Sequence, residues 1–260
     1  MTWITQPRSS IGRLSLIAAG QGDPLIILIH GVGLRAEAWG GQRESLAQLG
    51  ELRAVDMPGH GHSAGLPPYA DLQDFTDAIA VALDRPAIVI GHSMGAMIAL
   101  DMAVRYPVKV VGIAALNAIY RRGAEAREAV LARADALDGT SLPDPEPTLT
   151  RWFGNTDSPE RQACAAWLGG VDPAGYRAAY SVFARADAPS DAALSQLAMP
   201  ALFATGAQEP NSTPAMSRSM ADLAPHGQAT IIEGAAHMMP MTHAEDVAHL
   251  LCDFVKGCIQ

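Results

Sequence analysis

The chain has little cysteine, few aromatic residues and little charge, and each scarcity excludes something. Three cysteines, Cys164, Cys252 and Cys258, are too few and too scattered for a disulfide framework or a zinc site. Aromatics make up 5% and charged residues 17% of the 260 positions, whereas 49% are hydrophobic, so a tightly packed Ala/Leu/Val/Ile interior is expected. Like charges never cluster, and the net charge of −9 argues against nucleic acid or an anionic membrane as partner. No apolar segment approaches the roughly 18 consecutive residues of a spanning helix. Met1 to Ser10 lacks the basic start and apolar core of a signal peptide. The expectation from these absences is a soluble, cytoplasmic globular protein, with length enough for a large core.

Apolar strand-like runs alternate with helix-like segments, the pattern of a parallel sheet covered on both faces. A leading hairpin is expected over Ile11 to Ala19, turning at Gly20-Gln21-Gly22-Asp23. Strands follow at Pro24 to His30, Leu52 to Asp56, Ala87 to Ile90 and Val108 to Leu116, and helices at Glu37 to Leu49 and Asp71 to Leu83. From Ile119 to Ala198 the rhythm becomes helical and Ala-rich, broken by Pro143-Asp144-Pro145-Glu146-Pro147 and Gly169-Gly170. Most of the aromatics lie there, and the segment reads as a helical cap inserted into a core of residues 1–118 and 199–260. The alternation then resumes with strands Ala201 to Thr205 and Ala229 to Ile232 and helices Pro214 to Leu223 and Ala244 to Lys256.

The strand Ala87-Ile88-Val89-Ile90 stops at Gly91-His92-Ser93-Met94-Gly95, and a helix-forming run to Tyr106 begins at once. A Gly-x-Ser-x-Gly so flanked resembles the nucleophile elbow of the α/β-hydrolase superfamily, in which a sharp turn lifts the serine hydroxyl clear of the sheet. The resemblance spans nearly the whole chain. It rests also on the His30-Gly31 loop, the run Asp56-Met57-Pro58-Gly59-His60-Gly61-His62-Ser63 and the His237 loop. It is nearest to the cap-bearing carboxylesterases, enol-lactone hydrolases and ring-cleavage-product hydrolases. It implies the α/β-hydrolase fold, a mostly parallel twisted sheet flanked by helices, and no cofactor.

In this fold nucleophile, acid and base follow one another along the chain, with acid and base on loops after the last two strands. Of eight histidines, His237 alone has the position of the base. Glu209 is the only carboxylate in the loop Gly206-Ala207-Gln208-Glu209-Pro210-Asn211, with Glu233 and Asp187 as rivals. The oxyanion donors expected are the backbone N–H groups of Val32 and Met94. Relatives usually carry Asp where Glu209 stands, and often glycine at Ala96 and Ala236. A serine nucleophile argues against dehalogenase and epoxide-hydrolase chemistry, which in this superfamily uses Asp.

The remaining motifs have plainer readings. His60-x-His62 lacks a third metal ligand, and no metal site is expected. Gly31-x-Gly33 fails as a dinucleotide fingerprint because Ala36 occupies the third glycine position. Trp152, Phe153 and Trp167 can roof the site and Met238 can line it, though core packing accounts for such residues equally well. Arg121, Arg122 and Arg151 read as solvated surface residues that would serve a carboxylate substrate only if they faced the pocket. The expected activity is a serine hydrolase on a small carboxylic ester, lactone or related acyl compound, working as monomer or homodimer. The same constellation would also support C–C cleavage of a ring-cleavage product, acyl transfer, perhydrolysis, or a ligand receptor without turnover.

Overall fold

A computed structural model describes residues 3–186 and 189–259. Its strands are β1 (Ser9–Ile11), β2 (Leu14–Ala19), β3 (Leu25–Ile29), β4 (Glu51–Val55), β5 (Ala87–His92), β6 (Val110–Leu116), β7 (Ala201–Gly206) and β8 (Gly227–Ile232). They form one sheet in the order β1-β2-β4-β3-β5-β6-β7-β8. The pairs β1–β2 and β2–β4 are antiparallel, and every pair from β4–β3 to β7–β8 is parallel.

Side-chain alternation divides the central strands between two cores. Leu25, Ile27, Val89, Ile113 and Phe203 pack with residues of α2 (Leu72–Ala80), α3 (Met94–Arg105) and α9 (Pro214–Leu223). Ile26, Leu28, Ile90, Leu116 and Leu202 face the other way, with residues of α1 (Arg43–Ala47) and α11 (Ala244–Cys258). Both faces being covered, β3 is an unbroken apolar run with every residue buried. Helix α2 starts where Asp71 and Asp74 exchange side-chain and backbone hydrogen bonds in a capping box.

Between β6 and β7 run α4 (Ala124–Asp135), α5 (Glu146–Phe153), α6 (Pro159–Leu168), α7 (Pro173–Arg185) and α8 (Asp191–Leu194). Leu149, Cys164, Trp167, Leu168 and Tyr176 from this layer pack with Leu34, Met238 and Met241, the last in α10 (Met239–Thr242). Helices α5–α7 thereby sit over the loops that follow β3 and β8.

Local pattern misplaces three features. The first hairpin turns at Gly12-Arg13, not at Gly20-Gln21-Gly22-Asp23, and β2 pairs with β4 rather than β3. The expected helix Glu37 to Leu49 is split into a 3-10 turn, Ala36–Trp39, and the short α1, with Gly40-Gly41 between them. Strand β6 begins at Val110, and Val108 is exposed.

A buried ionic cluster holds the loops after β3 and β4 together. Asp56, at the end of β4, accepts the N–H groups of Ala36 at 2.9 Å and His62 at 3.0 Å and the Arg8 Nε–H at 3.0 Å. Glu37 accepts from Arg8 at 2.7 Å and from Arg35 at 2.8 Å. Burial pushes the Glu37 carboxyl up, but Arg8, Arg35 and the Gln6 N–H outweigh it and bring it down to about 2. Arg8→Ala leaves two buried carboxylates short of a cation, and should lower stability by about 3 kcal/mol in urea unfolding at pH 7. A group whose pKa falls on folding stabilises above its ordinary value and loses that contribution as pH falls through the folded one. The deficit of Arg8→Ala should therefore shrink between pH 4.5 and about 2, as Glu37 is protonated.

Candidate active site

Ser93 stands between β5 and α3 with φ 58° and ψ −120°, a strained conformation for a non-glycine residue. Its neighbours explain how so sharp a turn closes. A Cβ on Gly91 would collide with the backbone of Gly95, and one on Gly95 with the carbonyls of Ile29 and His30. Glycine is required at both positions because backbone meets backbone there.

His237 and Glu209 arrive on the loops after β8 and β7. The ring Nδ1–H donates to Glu209 Oε2 at 2.9 Å. Glu209 is 2% exposed. Its other oxygen, Oε1, accepts the N–H groups of Asn211 at 2.7 Å and Ser212 at 3.3 Å. Burial raises the Glu209 carboxyl, but the His237 ring and those two amides prevail and hold it down at about 2. On the other side of the ring, Trp152 from α5 stacks with centroids 5.5 Å apart and planes 21° apart. The His237 carbonyl accepts from His92 Nε2 at 2.8 Å and from Asn117 Nδ2 at 3.3 Å. Among the described residues no hydrogen bond joins Ser93 Oγ to His237, although both face one cavity. Such contacts commonly close only around bound substrate.

Two neutral histidines pin the loop after β3. His30 Nε2 accepts the Met57 N–H at 2.9 Å, so its Nδ1 carries the proton and donates to the Gly31 carbonyl at 2.7 Å. His60 Nε2 accepts the Gly33 N–H at 3.0 Å, and its Nδ1–H points to the Pro58 carbonyl. Burial pushes His60 down to about 3, and burial together with the nearby His237 does the same to His92. These rings are therefore uncharged tethers, not acid–base groups. The Val32 amide in the loop they hold and the Met94 amide at the start of α3 are without a protein acceptor among the described residues.

The cavity has a volume of about 210 Å³. Ser93, His237 and Glu209 line it together with Val32, Asn117 and Trp152. Arg133 and Arg151 lie on its wall, exposed, and neither has a carboxylate partner among the described residues. Arg133 bonds the Tyr180 hydroxyl and Arg151 the Thr148 hydroxyl. Arg122 also lines the cavity but is buried, donating to the carbonyls of Ala184 and Phe183. Arg121 pairs with Asp191 on the surface.

Phe153, Trp167 and Met238 belong to the apolar cluster between the helical layer and the core and do not line this cavity. Sequence identified them as large apolar residues but could not say which face of their helices looks inward. Of the rival acids, Glu233 is exposed, and Asp187 lies outside the described residues. Among the described residues no group of three metal-ligating side chains exists. No helix there is long and apolar enough to cross a membrane. Asn117 and Arg133 went unnoticed in the sequence. For Asn117 a signal was present, since a polar residue follows the C-terminal end of a buried parallel strand, where sites of open α/β sheets gather.

The chain is similar to known hydrolases over most of its length. The chain is 41% identical over 234 residues to the (E)-2-((N-methylformamido)methylene)succinate hydrolase of Acinetobacter baylyi, covering 88% of each chain. It is 30% identical to the pimeloyl-[acyl-carrier protein] methyl ester esterase of Xanthomonas oryzae, over 90% of this chain and 96% of that one. Among solved structures, an E-2-(acetamidomethylene)succinate hydrolase superposes with a TM-score of 0.77 at 25% identity, over 96% of this chain and 98% of the other. A thermophilic esterase from Thermogutta terrifontis, at 24% identity, shares the fold with a TM-score of 0.85 over 97% of this chain and 99% of its own. The alpha/beta hydrolase family model matches residues 26–250. The chain is a hydrolase that belongs to the alpha/beta hydrolase family.

Proposed function

We propose that the chain is a serine hydrolase of a small anionic acyl compound, an acylaminomethylene dicarboxylate or a near analogue, with Ser93, His237 and Glu209 as its triad. Ser93 Oγ attacks the acyl carbonyl as His237 takes the hydroxyl proton, and the Val32 and Met94 amides receive the oxyanion. His237 passes that proton to the departing nitrogen or oxygen, then draws a proton from the water that clears the acyl-enzyme. Glu209 holds the imidazole by Nδ1 and balances its charge when the ring is protonated.

One observation carries the substrate class. The cavity that holds Ser93 and His237 also presents Arg133 and Arg151, neither of which has a carboxylate partner among the described residues. A guanidinium facing a small pocket without an anion of its own suits a carboxylate ligand. The two relatives named as hydrolases of amidomethylene succinates support the same class. The pimeloyl ester esterases support a second reading, in which the scissile bond is an ester.

Substrate preference and the two arginine variants separate these readings, and the serine and glutamate variants test the triad common to both. Wild type should hydrolyse (E)-2-(acetamidomethylene)succinate in preference to its dimethyl ester, and Ser93→Ala should lose on the order of a million-fold in kcat. Preference for the dimethyl ester, or for p-nitrophenyl esters alone, would favour the ester reading. Arg133→Ala and Arg151→Ala should each raise KM for the dicarboxylate by about tenfold or more while leaving p-nitrophenyl acetate turnover unchanged. Glu209→Gln should cut kcat by about 10⁴-fold. Because the Glu209 pKa falls on folding, that carboxylate stabilises the protein above about pH 4.5 and ceases to as pH falls through about 2. Chemical unfolding of Glu209→Gln should accordingly show a weaker loss of stability across that interval than wild type.

A further inference from the structure

The base and the acid share a neighbour that the triad leaves out. Asn117 follows β6 directly, and its own N–H donates to the Ala204 carbonyl at 2.8 Å, which fixes it at the end of the sheet beside β7. It is 1% exposed. Its Nδ2 lies 3.3 Å from Glu209 Oε2, the oxygen that His237 Nδ1 binds, and 3.3 Å from the His237 carbonyl. The side-chain orientation follows from these acceptors, since turning the amide over would set its oxygen against a carboxylate and a carbonyl.

Two features of this residue cost free energy. Its φ is +54°, a region that glycine enters without penalty. Its Oδ1 is buried without a hydrogen-bond partner. Glycine would meet the backbone requirement and would bring no orphaned oxygen. What the asparagine side chain adds is the amide that reaches the acid and the loop of the base together.

We propose that Asn117 is a positioning residue that holds the Glu209 carboxylate against His237, a role that rests on the triad reading above. Glutamate has one more rotatable bond than aspartate, so its carboxylate needs fixing at both oxygens. The Asn211 and Ser212 amides fix Oε1. On Oε2 the Asn117 amide is the one protein donor other than the His237 ring among the described residues. At 3.3 Å both of its contacts are long, so the amide acts by spacing its two acceptors rather than by one tight bond. The Glu209 carboxylate therefore stays on Nδ1 as the ring gains the Ser93 proton.

The test is kinetics of Asn117→Gly and Asn117→Asp on p-nitrophenyl acetate, beside wild type and Ser93→Ala. Asn117→Gly keeps the backbone conformation and removes the amide. Its kcat should fall by about ten- to a hundredfold with KM changed less than about threefold and thermal unfolding near that of wild type. Asn117→Asp is isosteric and sets a second anion beside Glu209. Added negative charge favours a protonated base, so the acid-side inflection of its kcat/KM profile should move to higher pH. Wild-type kcat in Asn117→Gly together with an unmoved inflection in Asn117→Asp, with Ser93→Ala inactive, overturns the positioning role and leaves the triad standing. Full activity in Ser93→Ala overturns both.

Discussion

Everything at this site depends on the backbone closing on itself at Ser93. The turn packs Gly91 against Gly95, and Gly95 against the carbonyls that end β3, so no side chain fits between them. Ser93, the first turn of α3 and the loop after β3 are thereby brought into one small volume. The strain in Ser93 persists because buried strands on either side determine it; β3 and β5 are fully buried and paired in register from Leu25–Ala87 to Ile29–Gly91. A sheet slipped by one residue would turn the apolar set of each strand to the wrong core and separate the serine from its loop.

Polar groups around the turn are held by neutral donors and by paired charges, not by loose salt bridges. His30 and His60 each accept one backbone N–H and donate to one carbonyl, and so stitch the loop of Val32 to the loop after β4. Behind them Arg8 joins the buried carboxylates Glu37 and Asp56. Glu209 illustrates the same economy. The longer side chain reaches His237 with Oε2 and folds its other oxygen onto the amides of its own loop. That arrangement accommodates the extra methylene that sets this residue apart from the aspartate more usual in such loops.

Legibility in the sequence follows how local each feature is. The elbow was readable because glycine spacing, an apolar strand and a helix start within a dozen residues leave few other structures. His237 and Glu209 were readable from their order after the last two strands, and the structure sets them 2.9 Å apart. The pairing of β2 with β4 was not, because it depends on which strand lies alongside after folding. Gly40-Gly41 divided a segment whose apolar spacing alone suggested one helix. The cavity wall was least legible. Trp152 and Phe153 are adjacent and both pack against the apolar cluster, yet of the two Trp152 alone also stacks on His237 and lines the cavity, a choice made by how α5 rotates onto the core. Arg133 acquires meaning only from side chains far away in the chain, whereas Asn117 was marked by its place just after β6 but not by its partners.

The role of Ser93 as an activated nucleophile is tested most directly by covalent capture. The folded protein would be treated with a fluorophosphonate, and the adduct located by intact-mass and peptide mass spectrometry. A single adduct on Ser93, formed far more slowly in His237→Ala, is the result expected of a serine activated by that base. No adduct, or an adduct on another residue while Ser93 stays free, would contradict it.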